Sequence, residues 1–136
     1  MTDEVTGHRG GGKGVVKAAG SIPLRAVTAG VATRSHVLIG PDDGAPHFAM
    51  RRFVMEVGGG MPRHTNTVEH EQFVLRGRGR VVVGDEEHDV GPGDVLLIPA
   101  GTPHSYEVLD APFEFICIVP NADDEITLVD EEEARG

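Results

Sequence analysis

Apolar residues in this chain come in short runs separated by clusters of glycine, proline and acidic residues. In Ala49–Val57 (AMRRFVMEV), Arg51, Phe53, Met55 and Val57 share one face by the two-residue period of a strand, and that mainly apolar face is expected to point inward. Val15–Ala18, Ala26–Ala29 and His36–Ile39 are short strand candidates, and Gln72–Leu75, Arg80–Val83, Val95–Ile98 and Glu114–Val119 are further strands. GPDDGAP (40–46), the glycines at 58–60, and GRG, GDEE, GPGD, PAGTP and DAP punctuate them as turns. The triple glycine is expected to end the strand before it. No amphipathic helix precedes the acidic C-terminus, and there is no internal repeat. Many short strands at close spacing predict an all-β, antiparallel sandwich or barrel, read here as a single barrel.

A chain of 136 residues is one domain by length. Residues 1–13, polar and glycine-rich, are expected to be a disordered tail in which His8 has no role. Residues 14–122 form the barrel, and 123–136 are an acidic tail whose charge runs (Asp123–Glu125, Asp130–Glu133) stay solvated. The formal charge of −10 excludes a nucleic-acid partner, which requires a basic surface. No stretch has the roughly 20 apolar residues of a membrane span, and no signal-peptide core is present, so a cytoplasmic protein is expected. The one cysteine, Cys117, lies in the apolar run FEFICIV and is read as a buried structural thiol.

Chemistry enters with His64, His70 and His104. His64 and Asn66 leave the same face of an extended segment, and a turn over Thr67–Glu69 lets His70 open the next strand facing the same point. Gln72 shares the parity of His70, whereas Glu69 and Glu71 point outward and are poor ligand candidates. After Val95–Ile98, the turn Pro99–Pro103 brings His104 to the start of an antiparallel strand with Tyr106 on its face. Three imidazoles converging inside a barrel predict a divalent metal site with open positions. Asn66 either adds its amide oxygen as a fourth ligand or hydrogen-bonds a metal-bound water. Gln72 and Tyr106 are the candidate catalytic groups: Gln72 is expected to face the substrate or support the ligands rather than coordinate, and Tyr106 is a polar contact in the pocket or a half-buried barrel residue. Arg51 is expected in a surface or rim salt bridge, with contact to an anionic substrate as the alternative. His36, His47 and His88 are expected on the surface.

These residues resemble the cupin superfamily. Gly58, His64, Asn66, His70 and Gly77 hold the places of the first cupin motif, G-x5-H-x-H-x3-E-x6-G. Gly93, Pro99, Gly101 and His104 hold those of the second, G-x5-P-x-G-x2-H-x3-N, with Val108 in place of the asparagine. Fifteen residues separate the motifs, as in compact single-domain cupins. Asn66 replaces a histidine and His70 replaces the glutamate, so the chain is similar to small cupins that carry H-x-H-x3-H-E and bind metal through histidines. The resemblance implies a jelly-roll barrel, a divalent ion (Mn, Fe, Zn, Ni or Cu) and a small-molecule substrate. A first shell without carboxylate leaves the ion its full charge and favours an anionic, bidentate oxygen substrate. The functions implied are a dioxygenase-like oxidoreductase on a small enolisable or aromatic oxygen compound, a Lewis-acid isomerase, lyase or cyclase, or a non-catalytic metabolite-binding module. A homodimer is expected, because the early strands (15–39) would otherwise leave unpaired edges.

Overall fold

The computed structural model of the chain describes residues 12–130. His8 and the acidic residues beyond 130 lie outside the described residues. In chain order the strands are β1 (Arg25–Ala26), β2 (Val31–Ile39), β3 (Phe48–Thr65), β4 (His70–Val83), β5 (Glu86–Val90), β6 (Val95–Ile98), β7 (His104–Pro120) and β8 (Thr127–Leu128). All pairings are antiparallel, in the order β1-β2-β3-β7-β4-β5, with β6 also on β4 and β8 on the tip of β3. There is no α-helix among the described residues, and so no helix long and apolar enough to cross a membrane.

Three long strands carry the fold, and all bend at the same level. The register breaks between Met55 and Gly60 in β3 and between Val74 and Gly79 in β4, opposite the Asp110–Phe113 stretch of β7. Such irregularities sharpen twist and let one sheet curl over itself. Gly77 marks the bend in β4: its φ is +73°, and a side chain there would overlap the carbonyls of Asp110 and Pro112. The curled sheet encloses Phe53, Met55, Val74, Val81, Phe113 and Phe115. Phe115 stacks on Phe53 (5.2 Å between centroids) and on Tyr106 (5.3 Å). Truncating such a buried phenylalanine to alanine costs about 3–5 kcal/mol.

Several expectations change. The glycines at 58–60 do not end a strand; β3 bulges through them, and the bulge turns Val57 out to 83% exposure. The inward face therefore keeps Phe53 and Met55 but loses Val57. Val15–Ala18 is not a strand; a single 3-10 turn, Ala19–Ser21, follows it. GDEE is a turn only at its start, since Glu86–Val90 is β5. Four of its five residues are exposed, so edge position rather than apolar alternation defines it. His36 is not a surface residue: it is 7% exposed, its Nδ1–H bonds the Ile22 carbonyl (2.9 Å), and Arg52 Nη1 donates to its Nε2 (3.3 Å). His47 and His88 are exposed. The acidic residues 123–125 are not a free tail, because Asp124 and β8 dock on the loop after β3 and on its end.

Candidate metal centre

The two ends of the motif meet through backbone pairing. His64, near the end of β3, lies directly opposite His104, the first residue of β7, and His70, the first residue of β4, lies opposite Ile98 of β6. The turn before His104 is fixed by Gly101, whose φ is +78° and whose N–H donates to the Asn66 carbonyl (2.8 Å). That bond ties the β6–β7 turn to the β3–β4 turn, so His64, Asn66, His70 and His104 are gathered at one end of the barrel. All four are buried. With Gln72 and Tyr106 they line a cavity of about 110 Å³.

Hydrogen bonds set the orientation of the donor atoms. A carbonyl can only accept, so the bonds from His64 Nδ1 to the Pro62 carbonyl (2.8 Å) and from His104 Nδ1 to the Thr102 carbonyl (2.9 Å) place the proton on Nδ1 and the lone pair on Nε2. Asn66 Nδ2 donates to Asp124 Oδ2 (2.8 Å), which directs Oδ1 away from that carboxylate. His104 Nε2, His70 Nε2 and Asn66 Oδ1 are then buried without any partner. Burial lowers the pKa of all three imidazoles, to about 4 for His70, where Arg51 adds to the effect, and to about 4 for His104. Neutral imidazole is the form that ligates metal. Among the described residues, no group of three or more His, Cys, Asp or Glu side chains is arranged so that it could hold a metal ion as it stands. The His64 and His104 rings pack at 4.2 Å and the His70 and His104 rings at 6.0 Å between centroids. The fit rests instead on the unpartnered atoms and on an uncharged nitrogen and oxygen donor set, which suits a divalent transition ion.

Asp124 escaped the sequence reading because an acidic run carries no periodicity. Burial pushes its pKa up, but bonds from the Thr67 amide, the Asn66 side chain and the Thr67 hydroxyl outweigh that and hold it below the usual carboxylate range. Deeper in the cavity, Gln72 Nε2 donates to Tyr106 Oη (2.8 Å) and reaches Cys117 Sγ (3.6 Å). Burial raises the pKa of the Tyr106 phenol and of the Cys117 thiol. Glu69 and Glu71 are exposed, as their parity implies. Arg51 departs from expectation. It forms no rim salt bridge among the described residues; it lines the cavity, with its guanidinium carbon 5.1 Å from the Phe53 centroid and Nη2 3.3 Å from Cys117 Sγ.

The family model for the cupin domain matches residues 51–119, just over half of the chain and the whole span from Arg51 to the end of the core. The chain belongs to the cupin family. This cupin is 30% identical over 104 residues to a 1-methylthio-D-xylulose 5-phosphate methylsulfurylase of Rhodospirillum rubrum; the match covers 76% of this chain and 62% of the relative, less than two thirds of its length. Among solved structures it is similar to the polyketide cyclase RemF of Streptomyces resistomycificus (25% identity, TM-score 0.77, covering 90% of this chain and 92% of that one). It also resembles a cupin-2 domain of Rhodospirillum rubrum at 23% identity and a TM-score of 0.76, covering 90% and 84% of the two chains, which supports the fold alone.

Proposed function

We propose that this cupin is a metal-dependent enzyme acting on a small enolisable or aromatic oxygen compound. The observation that carries the reading is the trio of buried, unpartnered atoms, His70 Nε2, His104 Nε2 and Asn66 Oδ1, around one cavity. Leaving a buried polar atom unpaired costs about 1–3 kcal/mol. The lone pairs of His104 Nε2 and Asn66 Oδ1 cannot satisfy each other, and a cation satisfies both. His64, His70 and His104 are the residues that would hold it, with the Asn66 amide oxygen as a fourth donor positioned by Asp124. A divalent ion held there supplies Lewis-acid polarisation of a carbonyl or enol oxygen, with a charge undiminished by any carboxylate ligand.

The surrounding residues define what the site does with substrate. Tyr106 keeps its proton because burial disfavours the phenolate, so it serves as a hydrogen-bond donor and not as a base. Gln72 fixes the phenol by donating to its oxygen. Phe53, Met61 and Phe115 supply an apolar wall that keeps bulk water away from the reacting centre. The neutral donor set favours isomerase, lyase or cyclase chemistry, and the likeness to a polyketide cyclase supports that reading. Oxygen-dependent cleavage is the second reading, favoured by the apolar wall, on which O2 would be accommodated; turnover under strict anaerobiosis decides for the first, and stoichiometric O2 uptake for the second.

Metal analysis of the purified protein beside His64→Ala and His104→Ala tests the centre. Both variants are expected to lose most bound metal while keeping the β-sheet circular dichroism spectrum. Stoichiometric metal retained in both would refute the assignment. A homodimer is the expected assembly, since among the described residues β1 leaves an unpaired sheet edge; sedimentation as a monomer at micromolar concentration contradicts it.

A further inference from the structure

Arg51 sits on the inward face of β3, on the cavity wall, and its charge is uncompensated. Its Nε is buried with no hydrogen-bond partner, and its Nη2 meets only the Cys117 sulfur, a weak acceptor. The chain has 22 acidic residues against 12 basic ones, so carboxylates are in surplus. Arg34, Arg52 and Arg76 each pair with one, and Arg78 and Arg80 with two. Arg51 pairs with none among the described residues; Arg25 and Arg63 also lack a carboxylate, but of the three only Arg51 lines the cavity. Its guanidinium rests over Phe53, which continues through the stacked rings of Phe115 and Tyr106 toward the histidines. The field of Arg51 is felt across the cavity, at His70, Tyr106 and Cys117.

A half-buried cation without a counter-ion is costly, and a fold with spare carboxylates could have neutralised it. We propose that Arg51 is the anion-binding residue of the cavity and that the ligand is a small organic acid, its carboxylate held by the Arg51 fork and its carbon skeleton lying against Phe53 and Phe115. This specifies the substrate class within the reading above and relies on that reading only for the statement that substrate occupies this cavity. A carboxylate fits better than a phosphate. The guanidinium fork takes a carboxylate or a phosphate in two parallel bonds, so net charge decides between them. Arg51 is the one cationic side chain among the described residues lining the cavity, so in the metal-free protein it balances a monoanion but not a dianion. Ligand oxygens at the far end of such an acid would face the histidines.

The test is calorimetric titration of the full chain with pyruvate, phenylpyruvate and benzoate, with benzamide as the neutral control and inorganic phosphate as the competing anion. Wild type, Arg51→Gln and Arg51→Lys are compared, each both after chelation and after loading with zinc. At least one of the acids is expected to bind wild type in the chelated protein, more tightly than benzamide or phosphate. Arg51→Gln should weaken it by about thirtyfold or more, as for loss of one partner of a desolvated charge pair, and Arg51→Lys, which keeps charge but not the fork, should fall between. Thermal melts confirm that each variant folds. Equal acid affinity in wild type and Arg51→Gln, equal binding of benzamide, tighter binding of phosphate, or no acid binding at all would overturn the proposal. Metal content separates this inference from the metal centre: Arg51→Gln should load zinc as wild type does. Arg51-dependent acid binding in a protein that takes up no metal would leave this inference standing and remove the other.

Discussion

Arg51 and Arg52 are neighbours on β3 that point to opposite faces of the sheet, and they belong to two buried polar clusters of opposite character. Outside, Arg52 donates to Glu114 Oε1 through Nε (3.1 Å) and Nη2 (2.8 Å), Arg76 Nη1 takes Glu114 Oε2 (3.2 Å), and Arg52 also reaches His36, which is bonded to Ile22. Both oxygens of Glu114 accept there, Oε1 twice, and both ring nitrogens of His36 are bonded. Inside, Arg51 Nε, His70 Nε2, His104 Nε2 and Asn66 Oδ1, on residues that line the cavity, have no hydrogen-bond partner among the described residues. The outer cluster pins the segment before β1 to the barrel and is complete. The inner cluster keeps donors and acceptors unpaired, and the proposed metal ion and organic acid would use them. Burial is common to both; hydrogen-bond saturation is what separates them, and it is the basis on which the inner one is proposed as the functional site.

The largest single-residue test of that contrast removes the hub of the closed cluster. Glu114→Ala leaves Arg52 without its carboxylate and should cost about 3–4 kcal/mol, the lower part of the range for a broken buried pair because Arg76 is in solvent. His70→Leu, which replaces an unpartnered polar ring with an apolar side chain, should cost less than about 1 kcal/mol. Urea unfolding of both variants reads the difference, and the reverse order of costs would break the contrast.

A pH profile of the metal-free protein sharpens it. The folded pKa of His70 and His104, about 4, lies below the unfolded value of 6.5. Between these values the unfolded chain binds more protons than the native one, so stability is full above pH 6.5 and declines as pH falls toward 4. Each imidazole contributes on the order of 3 kcal/mol over its full shift, so the two together should cost on the order of 6–7 kcal/mol. The double variant His70→Leu/His104→Gln should flatten that part of the urea-midpoint profile; an unchanged slope would place the titrating groups elsewhere.

The smallest effect concerns the strap between the tail and the site. Asp124→Ala removes bonds to Asn66 and Thr67. Because Asp124 is exposed, stability should fall by no more than about 1 kcal/mol. Zinc affinity should nevertheless drop about tenfold, since Asn66 loses the group that orients it. Competition with a chromophoric chelator measures this, and unaltered affinity would show that Asn66 is oriented by its turn alone.

Much of this was legible along the chain. Val95–Ile98 coincides with β6, and the Pro99–Pro103 turn delivers His104 opposite His64, because short-range chemistry, proline and glycine at set positions, decides turns. The parity of His70 and Gln72 placed both inward for the same reason. Where parity met a bulge it failed, at Val57. Where a strand lay at an edge, at β5, the apolar signal was absent because one partner strand and no core face sufficed.

What the residues alone determined was a set of histidines spaced to converge in a closed antiparallel sheet, since turn chemistry and two-residue alternation act over a few positions. What tertiary structure decided was which polar groups found partners. His36 met Ile22 across 14 residues, Asp124 met Asn66 across 58, and Arg52 met Glu114 across 62, while Arg51 met no carboxylate among the described residues. Saturation is a property of three-dimensional neighbours, and no local pattern encodes it.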